Sequence, residues 1–114
     1  VEKENKVEEK VPSKPATPEQ KLEKDGFNLV YKDGECVTDL GLLAKVRFIR
    51  MVIAREENRP AYTIVSNQAV VSLATYKPKN KDEFIKLKGL GPITYEKWGE
   101  RFIFVIDEYL KNTD

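Results

Sequence analysis

Histidine is missing from all 114 residues, and Cys36 is the one cysteine. The first absence removes the usual general base, the commonest metal ligand and any Ser-His or Cys-His pair. The second rules out an internal disulfide and a cysteine zinc site. Both suit a reducing, cytoplasmic setting. No apolar run approaches the roughly 20 residues of a bilayer span, and no signal peptide is visible. No Gly-x-x-x-x-Gly-Lys-Ser/Thr stretch occurs, so the chain carries no phosphate-binding loop for ATP. Adjacent carboxylates such as Glu56-Glu57 and Asp107-Glu108 diverge by about 100° around a helix and make no metal site. These absences leave no catalytic residue, no metal site and no cofactor to assign. The chain opens on Val1 rather than methionine, as expected for a fragment of a longer protein.

Charge is abundant but nearly balanced, with 20 basic and 19 acidic residues. Its distribution is uneven. Residues 1–38 hold 7 basic and 9 acidic side chains, residues 39–114 hold 13 and 10, so the second part is mildly basic. Residues 1–25 are rich in Lys, Glu and Pro and poor in large apolar groups. Such a stretch buries too little surface to offset its ordering entropy and is expected to be a disordered linker, with Pro18 to Leu22 able to open a short helix. Residues 26–38 form a β-prone extension. Phe27 to Tyr31 alternates partly, Lys32-Asp33-Gly34 signals a turn, and Glu35 to Thr38 returns. The extension is expected to pack on the helical part of the chain, with Phe27, Leu29 or Tyr31 covering Phe48 and Met51.

Residues 39–114 read as helices. Thr38 or Asp39 caps a helix to about Glu57, in which Leu42, Val46, Ile49 and Ile53 share one buried face and Val52 widens it. Pro60 stops it. Ala61 to Val65 is expected to be extended. Ser66 caps a second helix to Tyr76, and Lys77-Pro78-Lys79 breaks it. Asn80 caps a third from Lys81 to Leu87. A glycine turn comes next, then a helix from Pro92 that Gly99 interrupts, continuing to about Lys111. Trp98, Phe102, Ile106, Tyr109 and Leu110 fall on its inner face, and Phe104 falls outside it. The fold class is all-α: a compact bundle of four to five short helices, with a short β-hairpin and a linker before it.

Several positions point to nucleic acid. Gly89, Leu90 and Gly91 form a helix-hairpin-helix-like turn in which glycine freedom bares backbone N–H groups toward a phosphate. Lys86, Lys88 and Lys97 flank it. The competing reading is a tight turn that lets two helices meet, with Leu90 filling the core. Lys77, Lys79 and Lys81 crowd the preceding loop and extend a basic rim, diluted by Asp82 and Glu83. Tyr62, in the Pro-Ala-Tyr segment, stacks on an unpaired base if exposed, but a ring half-packed on the first helix is the commoner outcome. Arg55 and Arg59 lie near it. Arg47 and Arg50 are a second basic candidate, or solvated helix arginines. Trp98 reads as core, and Glu100-Arg101 as a local surface pair.

An ordered set of motifs spans residues 39–112: Leu43-Ala44-Lys45-Val46-Arg47, Glu57 through Ser66, Lys77-Pro78, Asp82-Glu83-Phe84, Leu87 through Pro92, and Lys97 through Phe102. In that order and spacing they resemble an HRDC domain (helicase and ribonuclease D C-terminal), although the family more often has Tyr or Phe where Trp98 stands. The resemblance implies an auxiliary nucleic-acid-binding domain and no catalyst. A single such domain behind a charged linker looks most like part of a bacterial RecQ-type ATP-dependent DNA helicase. It then implies a monomer that contacts single-stranded or branched DNA weakly, works beside its own helicase core, and resides with the nucleoid in the cytoplasm. In family members that bind single strands, the tyrosine matching Tyr62 is a plausible contact. Two other roles fit the same bundle: a protein-docking module anchored by Phe104 or Tyr62, and an RNA-binding accessory of a ribonuclease D-like enzyme.

Overall fold

Proline at the first position of a helix loses no hydrogen bond, and Pro18 stands there in α1, Pro18–Lys24. Thr17 and Gln20 close a reciprocal capping box around that start. In the computed structural model, which describes residues 17–112, this is the first element. The expected linker therefore holds a helical turn at its end, and the rest of it, residues 1–16, lies outside the described residues.

A two-residue turn with left-handed Asp33 and Gly34 joins β1, Tyr31–Lys32, to β2, Glu35–Cys36. Tyr31 pairs with Cys36 and Lys32 with Glu35 in an antiparallel ladder. Positive φ at both turn residues matches the twist of the flanking strands. The hairpin is tied to the bundle by hydroxyls. Thr38 Oγ1 accepts from the Val30 N–H at 2.9 Å and lies 2.7 Å from Thr75 Oγ1.

Asp39 caps α2, Leu40–Glu57, accepting from the Leu42 N–H at 3.2 Å, and left-handed Asn58 ends it. Ser66 caps α3, Asn67–Tyr76. Asn80 caps α4, Lys81–Ile85, which stops two residues short of the expected Leu87. The last stretch starts at α5, Pro92–Thr94, widens into a π turn over Tyr95–Gly99, and continues as α6, Glu100–Asn112. The expected interruption near Gly99 is this π turn. A Cβ at Gly99 would collide with the Tyr95 ring, so only glycine lets the widened turn close.

α2 packs against both α3 and α6. Leu42, Val46 and Ile53 from α2 meet Val70, Leu73 and Ala74 from α3 and Phe102 and Ile106 from α6. Phe84 is buried and meets Tyr95 edge to face at 5.5 Å. The all-α expectation therefore holds: a mostly helical bundle with one two-stranded sheet.

Three local expectations fail. Phe27 is buried, but beneath Arg47 and Arg50 rather than over Phe48; the Arg47 guanidinium sits 4.6 Å from the Phe27 ring centroid. Phe48 remains 61% exposed and Met51 is exposed too. The cation–π contact draws the extension to the arginine side of α2. Ala61–Thr63 is a 3-10 turn, not an extended strand. Pro60 is extended, and the Thr63 N–H and hydroxyl both fold back onto its carbonyl. Arg101 pairs with Glu56 across α2 and α6 at 2.7 Å, rather than with its neighbour Glu100.

Candidate nucleic-acid interface

Ser66 stands where two chain segments converge. The 3-10 turn bearing Tyr62 leads directly into it. The Gly89 backbone packs against it from the other side: a Cβ at Gly89 would lie 3.6 Å from Ser66 Oγ and 3.5 Å from the Ala69 Cβ. The tyrosine turn and the glycine turn thus meet at the N-terminal end of α3. That end carries unpaired N–H groups and the positive pole of the helix.

Tyr62 is 72% exposed, with its ring in solvent rather than half-packed on α2. Its turn is held from behind. Arg59 Nη2 donates to the Thr63 carbonyl at 2.9 Å, and the Arg59 guanidinium lies 5.5 Å from the Trp98 ring centroid. The Lys97 ammonium lies 5.5 Å from the same ring. Trp98 itself is 7% exposed, so it is core and serves as a floor for two cations. Arg55 lines a shallow depression with Arg59, Pro60 and Ala61, extending the basic ledge toward α2. Lys81 lies 5.8 Å from the Tyr95 ring and shares a groove with Lys97 and Trp98.

The glycine turn is a tight turn that puts Leu90 in the core. Gly89 adopts φ +85°, Leu90 is buried, and Gly91 is extended ahead of Pro92. The Leu90 N–H is already bonded to the Leu87 carbonyl at 3.1 Å, so it is not free to meet a phosphate. Lys86 and Lys88 are exposed beside it.

Other candidates lie apart. Lys77 is left-handed at the end of α3 and turns to Asp39, 3.4 Å away. Asp39 also accepts from the Tyr109 hydroxyl at 2.8 Å. Burial raises the Asp39 pKa, but the Tyr109 hydroxyl, the Leu42 N–H and Lys77 outweigh it and hold the carboxyl below the ordinary value. Lys79 lines a groove with Glu100 and Asp107, in an acidic setting, and its N–H donates to Glu83. Arg50 is no phosphate ligand. It is 8% exposed and donates to the Val65 carbonyl at 3.1 Å and to Asn67 Oδ1 at 2.9 Å, bracing α3 on α2.

The grouping around Trp98 was not legible in the chain. Arg59 and Trp98 are distant in sequence, and each reads as ordinary alone. Among the described residues no cluster of His, Cys, Asp or Glu can hold a metal, and no helix is long and apolar enough to cross a membrane.

The chain is similar to the ATP-dependent DNA helicase RecQ of Pasteurella multocida, 33% identical over 73 residues, 64% of this chain and 12% of that one. The Haemophilus influenzae RecQ helicase is 32% identical over 78 residues, 68% of this chain and 13% of its own. The chain thus spans about one eighth of the length of these relatives. Among solved structures, D. radiodurans RecQ HRDC domain 3 superposes with a TM-score of 0.59 at 28% identity. That match covers 60% of this chain and 91% of the other. The HRDC domain profile matches residues 39–106, the stretch that holds α2 through most of α6, and the chain belongs to the HRDC family.

Proposed function

We propose that this domain is an auxiliary DNA-binding module of a RecQ-type ATP-dependent DNA helicase, holding single-stranded or branched DNA near the motor. The observation that carries the reading is the bare Tyr62 ring beside the Arg59–Trp98–Lys97 ledge. An unpaired base stacks on the tyrosine, for ~1–3 kcal/mol. The backbone on one side meets Arg59, Arg55 and Lys97. On the other it runs toward Lys86 and Lys88 at the glycine turn, with Gly89 and Gly91 shaping the backbone there. Lys81 extends the path along its groove, whereas Lys77, paired with Asp39, and Lys79, in a groove shared with Glu100 and Asp107, contribute only to the general field.

The surplus of basic groups is small, so binding is weak and depends steeply on salt. Weakness suits a domain tethered to its motor, because tethering raises the local DNA concentration. The ATP site, the unwinding chemistry and any cofactor belong to other parts of the parent protein, which works on DNA in the bacterial cytoplasm.

Titration of labelled single-stranded DNA, duplex DNA and RNA at 50 and 200 mM salt tests this. Saturable binding to single strands that falls with salt, and falls again for Tyr62→Ala, supports it. Preference for RNA moves the domain to a ribonuclease D-like parent. No binding at low salt overturns the nucleic-acid reading and leaves a docking role.

A further inference from the structure

The chain folds back on itself at the end of α2 and leaves a hollow there. Left-handed Asn58 stops the helix, its N–H bonded to the Arg55 carbonyl at 3.2 Å. The Arg59 N–H reaches back to the Ala54 carbonyl at 2.9 Å. Pro60 then runs extended into the 3-10 turn. Met51, Ala54, Arg55 and Asn58 recur at the spacing of one helix face. With Arg59, Pro60 and Ala61 they line the depression. Backbone hydrogen bonds hold the returning chain, so the hollow is built into the fold.

Its chemistry suits a base better than a bare phosphate. Met51, Ala54, Pro60 and Ala61 give it an apolar surface. Met51 is exposed, and its polarizable thioether favours an aromatic ring. Arg55 and Arg59 add two guanidiniums, and no acidic residue lines the hollow. Among the described residues the Asn58 amide has no hydrogen-bond partner, so it can donate and accept at the edge of a heterocycle. Position says which base. Ala61 lines the hollow, and the bare ring of Tyr62 belongs to the next residue, ~3.8 Å further along the backbone. A strand with one base on Tyr62 therefore carries its neighbour past the hollow.

We infer that this hollow is a second base subsite, which takes the nucleotide next to the one stacked on Tyr62. The base lies against Met51 and Ala61, and the phosphate joining the two nucleotides meets Arg55. The inference rests on the single-strand reading above and sharpens it: the unit recognised is two consecutive unpaired nucleotides. Duplex DNA, whose bases stay in their stack, offers no such pair.

Single-stranded hexanucleotides that are abasic except at two positions test the subsite. One isomer carries two adjacent thymines, and the other carries the same two at its ends. Charge and composition are identical, so only adjacency differs. Fluorescence anisotropy with the 114-residue chain at low salt is expected to show the adjacent isomer bound ~2- to 10-fold more tightly. In Met51→Ala the two isomers bind alike, and circular dichroism melting shows that this exposed-site variant is folded. The comparison on the parent chain needs no variant at all. Equal affinities there, with both isomers still bound more tightly than a fully abasic strand in a Tyr62-dependent way, overturn the second subsite and leave the Tyr62 reading standing. A Met51→Ala chain that keeps the full preference for adjacent thymines overturns the hollow as its cause. No binding of any strand, natural single strands included, overturns both readings.

Discussion

Gly41 lies beneath the phenol of Tyr109: a Cβ at position 41 would stand 2.5 Å from the Tyr109 hydroxyl oxygen. That close approach is what lets the hydroxyl reach Asp39, the cap of α2. The first turn of the first bundle helix is thereby fastened to the last turns of the last one. Two opposed effects meet at position 41. Alanine is the better helix former by ~1 kcal/mol, but it displaces the phenol and breaks a hydrogen bond to a charged group worth ~1.5–3 kcal/mol. Gly41→Ala is therefore expected to lower unfolding free energy by about 1 kcal/mol in urea titrations. In a Tyr109→Ala background the obstacle is gone, and the same substitution is expected to stabilise. An unchanged sign in the two backgrounds would refute the account.

Acid should loosen the same clasp. The folded pKa of Asp39 lies below its ordinary value, because Tyr109, Leu42 and Lys77 outweigh the opposing effect of burial. The stabilisation is then fully present above about pH 4 and is lost as pH falls through the lower folded value. Thermal melts between pH 2 and 6 should show a shallower acid decline for Asp39→Asn than for the parent chain. Parallel curves would mean the carboxylate contributes nothing.

Arg50 offers a test of the buried brace between α2 and α3. Arg50→Ala leaves the Val65 carbonyl and Asn67 Oδ1 without their donor and opens a void. A loss of about 2–4 kcal/mol is expected. Arg50→Met loses the same donor but fills the space, and should cost less. Chemical denaturation of the two variants decides it, and equal costs would show that the hydrogen bonds alone matter.

Gly89 separates shape from contact. There is ordinary room for a methyl group, with the nearest atoms 3.5 and 3.6 Å away, but the φ of +85° is costly for any other residue. Gly89→Ala should lose about 1–2 kcal/mol of stability through backbone strain alone. A neutral result would mean the turn relaxes without strain.

Binding variants should divide by mechanism. Tyr62→Ala is expected to leave the melting temperature within a degree and weaken single-strand binding ~5- to 100-fold at any salt. Lys88→Ala should instead weaken binding to all sequences about equally and reduce the salt slope by about one. Fluorescence anisotropy across a salt series distinguishes them. A Tyr62→Ala defect that vanishes at high salt would contradict stacking.

Local signals carried most of the helix plan. The Asp39, Ser66 and Asn80 caps and the Pro60 stop are short-range features, and the boundaries track them closely. The seat of the hairpin was not legible, because apolar spacing pairs Phe27 with Phe48, whereas the ring takes two guanidinium partners instead. Arg50 reads as a surface arginine until Val65 and Asn67 are placed opposite it. The Glu56–Arg101 pair spans two helices that only the tertiary fold sets side by side. For the candidate interface, residue types were legible and grouping was not. Tyr62 and Arg59 adjoin in sequence, but Lys97 reaches them only through the Trp98 ring, and Lys77 is lost to Asp39.

Trp98 is the chain's one tryptophan, and it lies between Arg59 and Lys97. Any anion that draws either cation off the ring alters the electric field across the indole, and with it the colour and yield of its emission. The protein thus carries its own optical gauge of ledge occupancy, readable without a label.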